Sequence, residues 1–152
     1  MAISAYPQKI PQKTVETLTS GSSWTVPAGV TQVVVTTIGG GGGGYNALSS
    51  TSVGPGGGHG QIRISTVATT PGASISYSIG AGGSGRTTSG GVVPATAGGN
   101  TTFTGATTAN GGAASPDGNG VGLVATNGAL PSVSTTTGNN GGQGMITVEY
   151  WL

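Results

Sequence analysis

Cysteine and charged side chains are what this sequence most lacks. Its 152 residues include no cysteine, so disulfide bonds and thiolate metal sites are excluded. Four basic and three acidic residues give a net charge of +1. Nucleic-acid-binding proteins need many lysines and arginines to neutralise phosphates, so we expect no nucleic-acid partner. A surface with so little charge favours a protein that works inside an assembly.

Groups for acid–base or metal chemistry are also scarce. The only acids are Glu16, Asp117 and Glu149, and His59 is the single histidine. General acid–base catalysis and metal binding need several such groups together. A phosphate-binding loop would need Gly-Lys-Ser or Gly-Lys-Thr, which is missing. The sequence therefore predicts that the protein is not an enzyme and holds no cofactor and no metal.

Long apolar runs and a secretory leader are missing from the sequence as well. No stretch approaches the roughly 20 apolar residues that span a bilayer. Residues 1–9 lack the charged and apolar blocks of a signal peptide. We expect no membrane insertion and no export by the secretory route.

Glycine, in contrast, is abundant, and its distribution divides the chain. Of 33 glycines, all but Gly21 and Gly29 lie between residues 39 and 144. Residues 1–20 are polar and contain the related tetrapeptides PQKI and PQKT, in which proline favours extended backbone. We predict an extended N-terminal docking arm over residues 1–20 and one glycine-rich β domain over residues 21–152.

Three apolar residues of the predicted arm are candidate assembly anchors. Ile3, Tyr6 and Ile10 are spaced along an otherwise polar stretch, and we expect them to contact a neighbouring subunit. The alternative is a frayed chain terminus without a partner.

Strand patterns occur at both ends of the glycine-rich region and twice inside it. Residues 30–38 are rich in β-branched side chains, and three consecutive valines suggest a strand buried on both faces. Residues 145–152 alternate, with Ile146, Val148 and Tyr150 on one face. Further strands are predicted at 24–26, 61–65, 74–79 and 100–104, with turns at 27–29 and 68–72. Both tryptophans lie in the end segments, so we expect the first and last strands to share one core.

The glycines themselves recur with a period of three. This spacing appears at residues 54, 57 and 60, at 82 and 85, and at 138, 141 and 144. Three residues per turn is the period of the polyproline II helix. We predict an all-β fold, a small β-sandwich frame with glycine-rich polyproline II-like or irregular segments and almost no helix. The alternative for the glycine runs is a set of flexible linkers.

Two short segments after glycine runs are candidate receptor-binding sites. Tyr45 and Asn46 follow residues 39–44, and Arg86 and Thr87 follow residues 80–85. Aromatic and amide groups on loops suit the recognition of a host-surface glycan. The alternative for Tyr45 is packing at the end of a strand.

Several of these motifs together resemble a known family. WTVPAGV at 24–30, the valines that follow it and the glycine run at 39–44 are similar to the start of glycine-rich domains in phage tail-fibre and related virion proteins. The segments 80–85, 100–103 and 144–150 resemble the same layout. The resemblance spans about residues 21–152, and it implies a β-sandwich continuing into polyproline II segments and a role in virion architecture or host attachment.

From these observations we predict a non-enzymatic bacteriophage virion structural protein, such as a fibre, spike or decoration subunit, located in the virion. It would be anchored by its arm to other virion proteins and would form a homo-oligomer, with a trimer favoured. One alternative is a host-surface adhesin at a tail-fibre tip. A second is an ice- or matrix-binding protein that uses threonine arrays such as residues 135–137.

Overall fold

The computed structural model describes residues 10–45, 56–87, 93–115 and 139–152. Within them the chain forms seven β-strands and no helix. These residues therefore contain no helix long and apolar enough to cross a bilayer. The strands are β1 (Lys13–Leu18), β2 (Ser23–Thr25), β3 (Gln32–Ile38), β4 (Ile62–Ala68), β5 (Ser74–Ser78), β6 (Thr102–Phe103) and β7 (Met145–Trp151). The prediction of an all-β fold is confirmed.

Four of the strands form an antiparallel sheet in the order β1-β7-β3-β4. One of its two inner strands, β3, contains the three consecutive valines. Val33 and Val35 are fully buried, whereas Val34 lies on the opposite, partly exposed face. The prediction that β3 is buried on both faces is therefore wrong, because only one face of this sheet is covered.

The covered face packs against a second sheet, of order β2-β5-β6. Trp24 lies between the sheets, with its ring centroid 6.1 Å from Phe103 and 6.0 Å from Tyr150. The shared core consists of Trp24, Val26, Val30, Val33, Val35, Val67, Tyr77, Phe103, Ile146, Val148 and Tyr150. The predicted inner face of the last strand is confirmed. Trp151 is 47% exposed, so the second tryptophan does not join the core.

Two glycines make the tight turns that the sequence indicated. Gly29 has a φ of 83° and Gly72 a φ of 78°. Residues with a side chain rarely adopt this left-handed backbone conformation. The turns bring β2 close to β3 and β4 close to β5, so both sheets can be built from nearby segments.

Strand β1 lies inside the stretch predicted as an arm. It pairs with β7 along its whole length, and Gln12 and Leu152 exchange two further backbone hydrogen bonds. Residues 13–18 are therefore an edge strand of the sheet, which the predicted boundary at residue 20 did not anticipate. Among the candidate anchors, Ile10 is 75% exposed. Ile3 and Tyr6 lie outside the described residues.

Candidate functional site

Residues 39–44 are six glycines that continue directly from β3 and are all buried. Their amide groups donate in turn to three neighbouring segments. Gly39 and Gly42 donate to the carbonyls of Gln61 and Gly58 in the first segment. Gly40 and Gly43 donate to those of Gly99 and Thr96 in the second. Gly41 and Gly44 donate to those of Gly142 and Asn139 in the third, and all six N···O distances are 2.8–2.9 Å. Every third residue therefore donates to the same neighbour.

Two more segments donate to the carbonyl groups of the same run. Amides of Gly83 and Arg86 bond to the carbonyls of residues 41 and 44, and amides of Gly112 and Ser115 bond to those of residues 40 and 43. The acceptors in each pair are again three residues apart. Five segments, at 56–61, 80–86, 96–99, 110–115 and 139–144, thus surround the run at 39–44. We call these six segments the glycine bundle.

The glycine bundle has the three-residue repeat of polyproline II backbone. None of its described glycines has a positive φ. The outer segments also bond to one another, for example Gly141 to the carbonyl of Gly83 at 2.8 Å. Each such hydrogen bond contributes about 1 kcal/mol to the free energy of unfolding. The glycine bundle is therefore a core made of peptide groups, and the flexible-linker alternative does not hold for these segments.

Close approach of neighbouring backbones explains why residues 39–44 are all glycine. A Cβ atom at Gly42 would overlap the carbonyl of Ala113, and one at Gly43 would overlap the carbonyl of Ser84. Among residues 39–43 only Gly41 has more room, because the atom nearest to its added Cβ, the amide nitrogen of Gly142, is 3.3 Å away. The run is surrounded by backbone on all sides, so an unbroken row of glycines marks the centre of the bundle.

The outer segments need glycine only where they face another segment. In the segment 56–61, a Cβ atom at Gly57 or Gly60 would overlap backbone carbonyls of the central run. In the segment 80–86, Ala81 and Ser84 lie three residues apart and are exposed. The predicted period of three therefore records which side of each outer segment faces inwards.

Thr101 joins the glycine bundle to the sheets. It is fully buried, and its hydroxyl donates to the carbonyl of Ile38 at 2.7 Å. The same oxygen accepts a hydrogen bond from the amide of Gly80 at 3.0 Å. One side chain thus satisfies two backbone groups at the point where β3 ends and the central run begins.

Two predicted receptor-binding residues meet at the end of the bundle farther from the sheets, which we call the far end. The guanidinium carbon of Arg86 lies 4.1 Å from the ring centroid of Tyr45, a cation–π contact. The amide of Arg86 also donates to the carbonyl of Gly44 at 2.9 Å. Six glycines separate Tyr45 from β3, so Tyr45 does not pack at a strand end. The pair combines an aromatic ring with hydrogen-bond donors.

The other two predicted residues of this site differ in their placement. Thr87 follows Arg86 and exchanges two backbone hydrogen bonds with Val93, at 3.1 and 2.9 Å. This pairing holds Thr87 beside the contact between Tyr45 and Arg86. Asn46 lies outside the described residues, as do threonines 135–137.

The titratable groups of the described residues each have a local partner. His59 is exposed, and its Nδ1 lies 3.1 Å from the carbonyl of Gly60. Glu149 forms an ion pair with Lys13 at 2.8 Å. No group of three metal-ligating side chains occurs within the described part of the chain. Asp117 lies outside it.

Glu16 has a structural role that the sequence analysis missed. Its carboxylate accepts hydrogen bonds from the Trp24 indole at 2.9 Å and from the Tyr150 hydroxyl. The hydrogen bond to Glu16, together with burial and the negative charge of Glu16, raises the pKa of Tyr150 above its usual value. The alternation of Thr14, Glu16 and Leu18 was the available signal, because it places Glu16 on the face that turns towards the core.

A family model described as a glycine-rich domain matches residues 16–149. The match begins within β1 and ends within β7, so it includes both sheets and the glycine bundle. No curated protein matches the chain.

Proposed function

The chain belongs to the glycine-rich domain family, and we propose that it is a non-enzymatic structural subunit of a bacteriophage virion, of the fibre, spike or decoration type. The observation that carries the proposal is the glycine bundle, in which backbone groups of six segments replace a side-chain core. Peptide groups have no rotamers, so such a bundle is stiff. A stiff and almost uncharged body suits a part that keeps a fixed length within a particle.

The sequence resemblance supports the same proposal. The segments 24–30 and 39–44, which are similar to tail-fibre domains, form β2 with the following turn and the centre of the bundle. The family match adds the glycine-rich domain as such. The phage assignment rests on the resemblance and on the scarcity of charge.

The N-terminal stretch is the proposed attachment to other virion proteins. It leads into β1 at the edge of the sheet, and Ile10 at its end is 75% exposed. Burying an isoleucine side chain contributes about 1.5–3 kcal/mol, so a few anchors such as Ile3, Tyr6 and Ile10 suffice for docking.

Purified phage particles provide the test. We expect the full chain to copurify with particles, and a variant lacking residues 2–9 to fold normally but to be left out. A variant with Gly/Ser residues in place of 2–9 controls for length. Absence of the full chain from particles would contradict the proposal, and incorporation of the truncated variant would contradict the anchor alone.

A host-surface adhesin is the second candidate, and the contact between Tyr45 and Arg86 favours it. The far end of the bundle would then bind a surface glycan through Tyr45, Asn46, Arg86 and Thr87. We expect Tyr45→Ala and Arg86→Ala to reduce binding to host cells without lowering the melting temperature. His59→Ala, at an exposed position elsewhere on the bundle, is the matched control. Host-cell binding that survives both substitutions would contradict the assignment of this glycan-binding site.

A further inference from the structure

The two edges of the four-stranded sheet differ in how they are protected from pairing with another chain. Edge strands are commonly protected by lysine and by charged residues that point inwards. β1 has both, since Lys13 pairs with Glu149 and Glu16 points towards the core. β4 pairs with β3 in an uninterrupted register over seven residues and contains no proline. Its only charged residue is Arg63.

Hydrogen bonds at both ends of β4 show which of its backbone groups face away from β3. Gly39 donates to the carbonyl of Gln61, and Thr69 donates to the carbonyl of Thr31. In an antiparallel ladder the backbone groups alternate in direction from one residue to the next. Residues 63, 65 and 67 therefore point towards β3, and residues 62, 64, 66 and 68 point away. Among the described residues, none of the outward backbone groups has a hydrogen-bond partner.

The side chains beside this open edge are apolar. Ile62 is 62% exposed and Ile64 is 71% exposed, and both lie on the uncovered face of the sheet. The neighbouring residues in register on β3 are Ile38 and Thr36, which are neutral. A regular edge with a single charged residue and two exposed isoleucines is a template for a further strand.

We propose that β4 pairs in antiparallel orientation with β4 of a second copy of this chain, which joins two four-stranded sheets into one of eight strands. Charge permits this pairing, and the other edge of the sheet, β1, is protected by Lys13 and Glu16, so β4 of the second copy is the edge that remains. A two-fold register centred on Ile64 or Ser65 places Arg63 opposite Ser65 or Val67 of the second copy. No like charges then face each other, whereas a register centred on Arg63 places the two arginines opposite and is disfavoured.

The symmetry of this contact makes it self-complementary and closed. A net charge of +1 per chain adds little repulsion between copies. The resulting assembly is a dimer, unlike the trimer favoured by the sequence. The inference does not depend on the virion proposal, so either can fail without the other.

Sedimentation equilibrium of the full chain tests the proposal with a matched pair of variants. Ile64→Lys places a charge beside the open edge of β4, and Val15→Lys places one on the same face beside β1. We expect a dimer for the natural chain and for Val15→Lys. Ile64→Lys is expected to weaken dimerisation about 100-fold or more, because each dimer loses two buried isoleucine side chains. A monomer or a trimer of the natural chain overturns the proposal.

Amide hydrogen exchange locates the contact independently of its strength. In the dimer the outward amides of Ile62, Ile64 and Thr66 are expected to be protected, and in Ile64→Lys those of residues 62 and 66 exchange rapidly. The inward amides of residues 63, 65 and 67 stay protected in both, which shows that β4 remains folded. Rapid exchange of the outward amides in a natural dimer assigns the contact to another surface and overturns the proposal. Protection that appears only when another virion protein is added also overturns it.

Discussion

The β-sandwich frame and the glycine bundle fill their interiors with different atoms. Between the sheets, the rings of Trp24, Phe103 and Tyr150 occupy the space, with centroids about 6 Å apart. In the glycine bundle the same space is occupied by amides and carbonyls of neighbouring segments. The stability of the frame therefore depends on the size of the side chains in its interior, and the stability of the bundle depends on the absence of side chains from its interior.

This difference sets how each region responds to a substitution. A side-chain core relaxes partly after a change, because neighbouring rotamers and strands shift. Peptide groups held by hydrogen bonds on several sides have no equivalent freedom. We therefore expect adding one methyl group at a close-packed glycine of the bundle, such as Gly42, to cost more than removing a whole ring from the frame.

The largest effect is expected for Gly42→Ala. The added methyl group would overlap the backbone carbonyl of Ala113, so two segments must separate and their hydrogen bonds break. We expect a loss of about 5 kcal/mol or more in the free energy of unfolding, or failure to fold. Thermal and chemical denaturation followed by circular dichroism measure it.

Gly41→Ala and Gly56→Ala are the matched controls for this prediction. At Gly41 the nearest atom to an added Cβ is 3.3 Å away, and at Gly56 none lies within 4 Å. Gly41→Ala is expected to cost much less than Gly42→Ala, and Gly56→Ala to stabilise by about 0.4–1 kcal/mol. Equal losses at all three positions would show that backbone packing does not control stability.

In the frame, Phe103→Ala tests the side-chain core. Phe103 is 2% exposed and packs against Trp24 and Tyr77. Removing its ring is expected to cost about 3–5 kcal/mol through lost burial and the cavity left behind. Phe103→Leu keeps most of the volume and is expected to recover more than half of the loss. A loss larger than that of Gly42→Ala would reverse the comparison between the two regions.

The junction between the regions is tested by Thr101→Val. The substitution preserves shape but leaves the amide of Gly80 and the carbonyl of Ile38 without the Thr101 hydroxyl. We expect destabilisation of about 2–3 kcal/mol. Thr101→Ser keeps the hydroxyl, and its stability should lie closer to that of the natural chain. If valine and serine cost the same, the hydroxyl does not couple the two regions.

The smallest effect concerns alkaline pH and the frame alone. The pKa of Tyr150 is raised in the folded state, chiefly by its hydrogen bond to Glu16. The neutral phenol is therefore favoured by folding. This contribution is fully present below the usual tyrosine pKa of about 10 and is lost as pH rises further. Tyr150→Phe, at a cost of about 1 kcal/mol near neutral pH, removes this dependence. An unchanged pH profile above 10 in Tyr150→Phe would contradict the assignment.

Local patterns predicted most elements of both regions, but not β1, which lies in the stretch predicted as an arm. The alternation of Ile146, Val148 and Tyr150 identified the inner face of β7, and the glycine period identified the inward side of the outer segments. Contacts between distant segments had no such signal. The stacking of Arg86 on Tyr45 joins the ends of two different glycine segments. The exposed position of Trp151, in contrast, follows from the same alternation, which places residue 151 on the outer face of β7.

The amino-acid order by itself determined the kind of backbone that each segment adopts. β-branched alternation permits strands, and glycine at every third position permits close backbone packing, because both follow from sterics within a few residues. Tertiary structure alone decided which segments became partners: β1 beside β7, five segments around residues 39–44, and β4 at an open edge. Peptide groups are chemically identical along the chain, so their pairing is selected only when the whole fold brings them together.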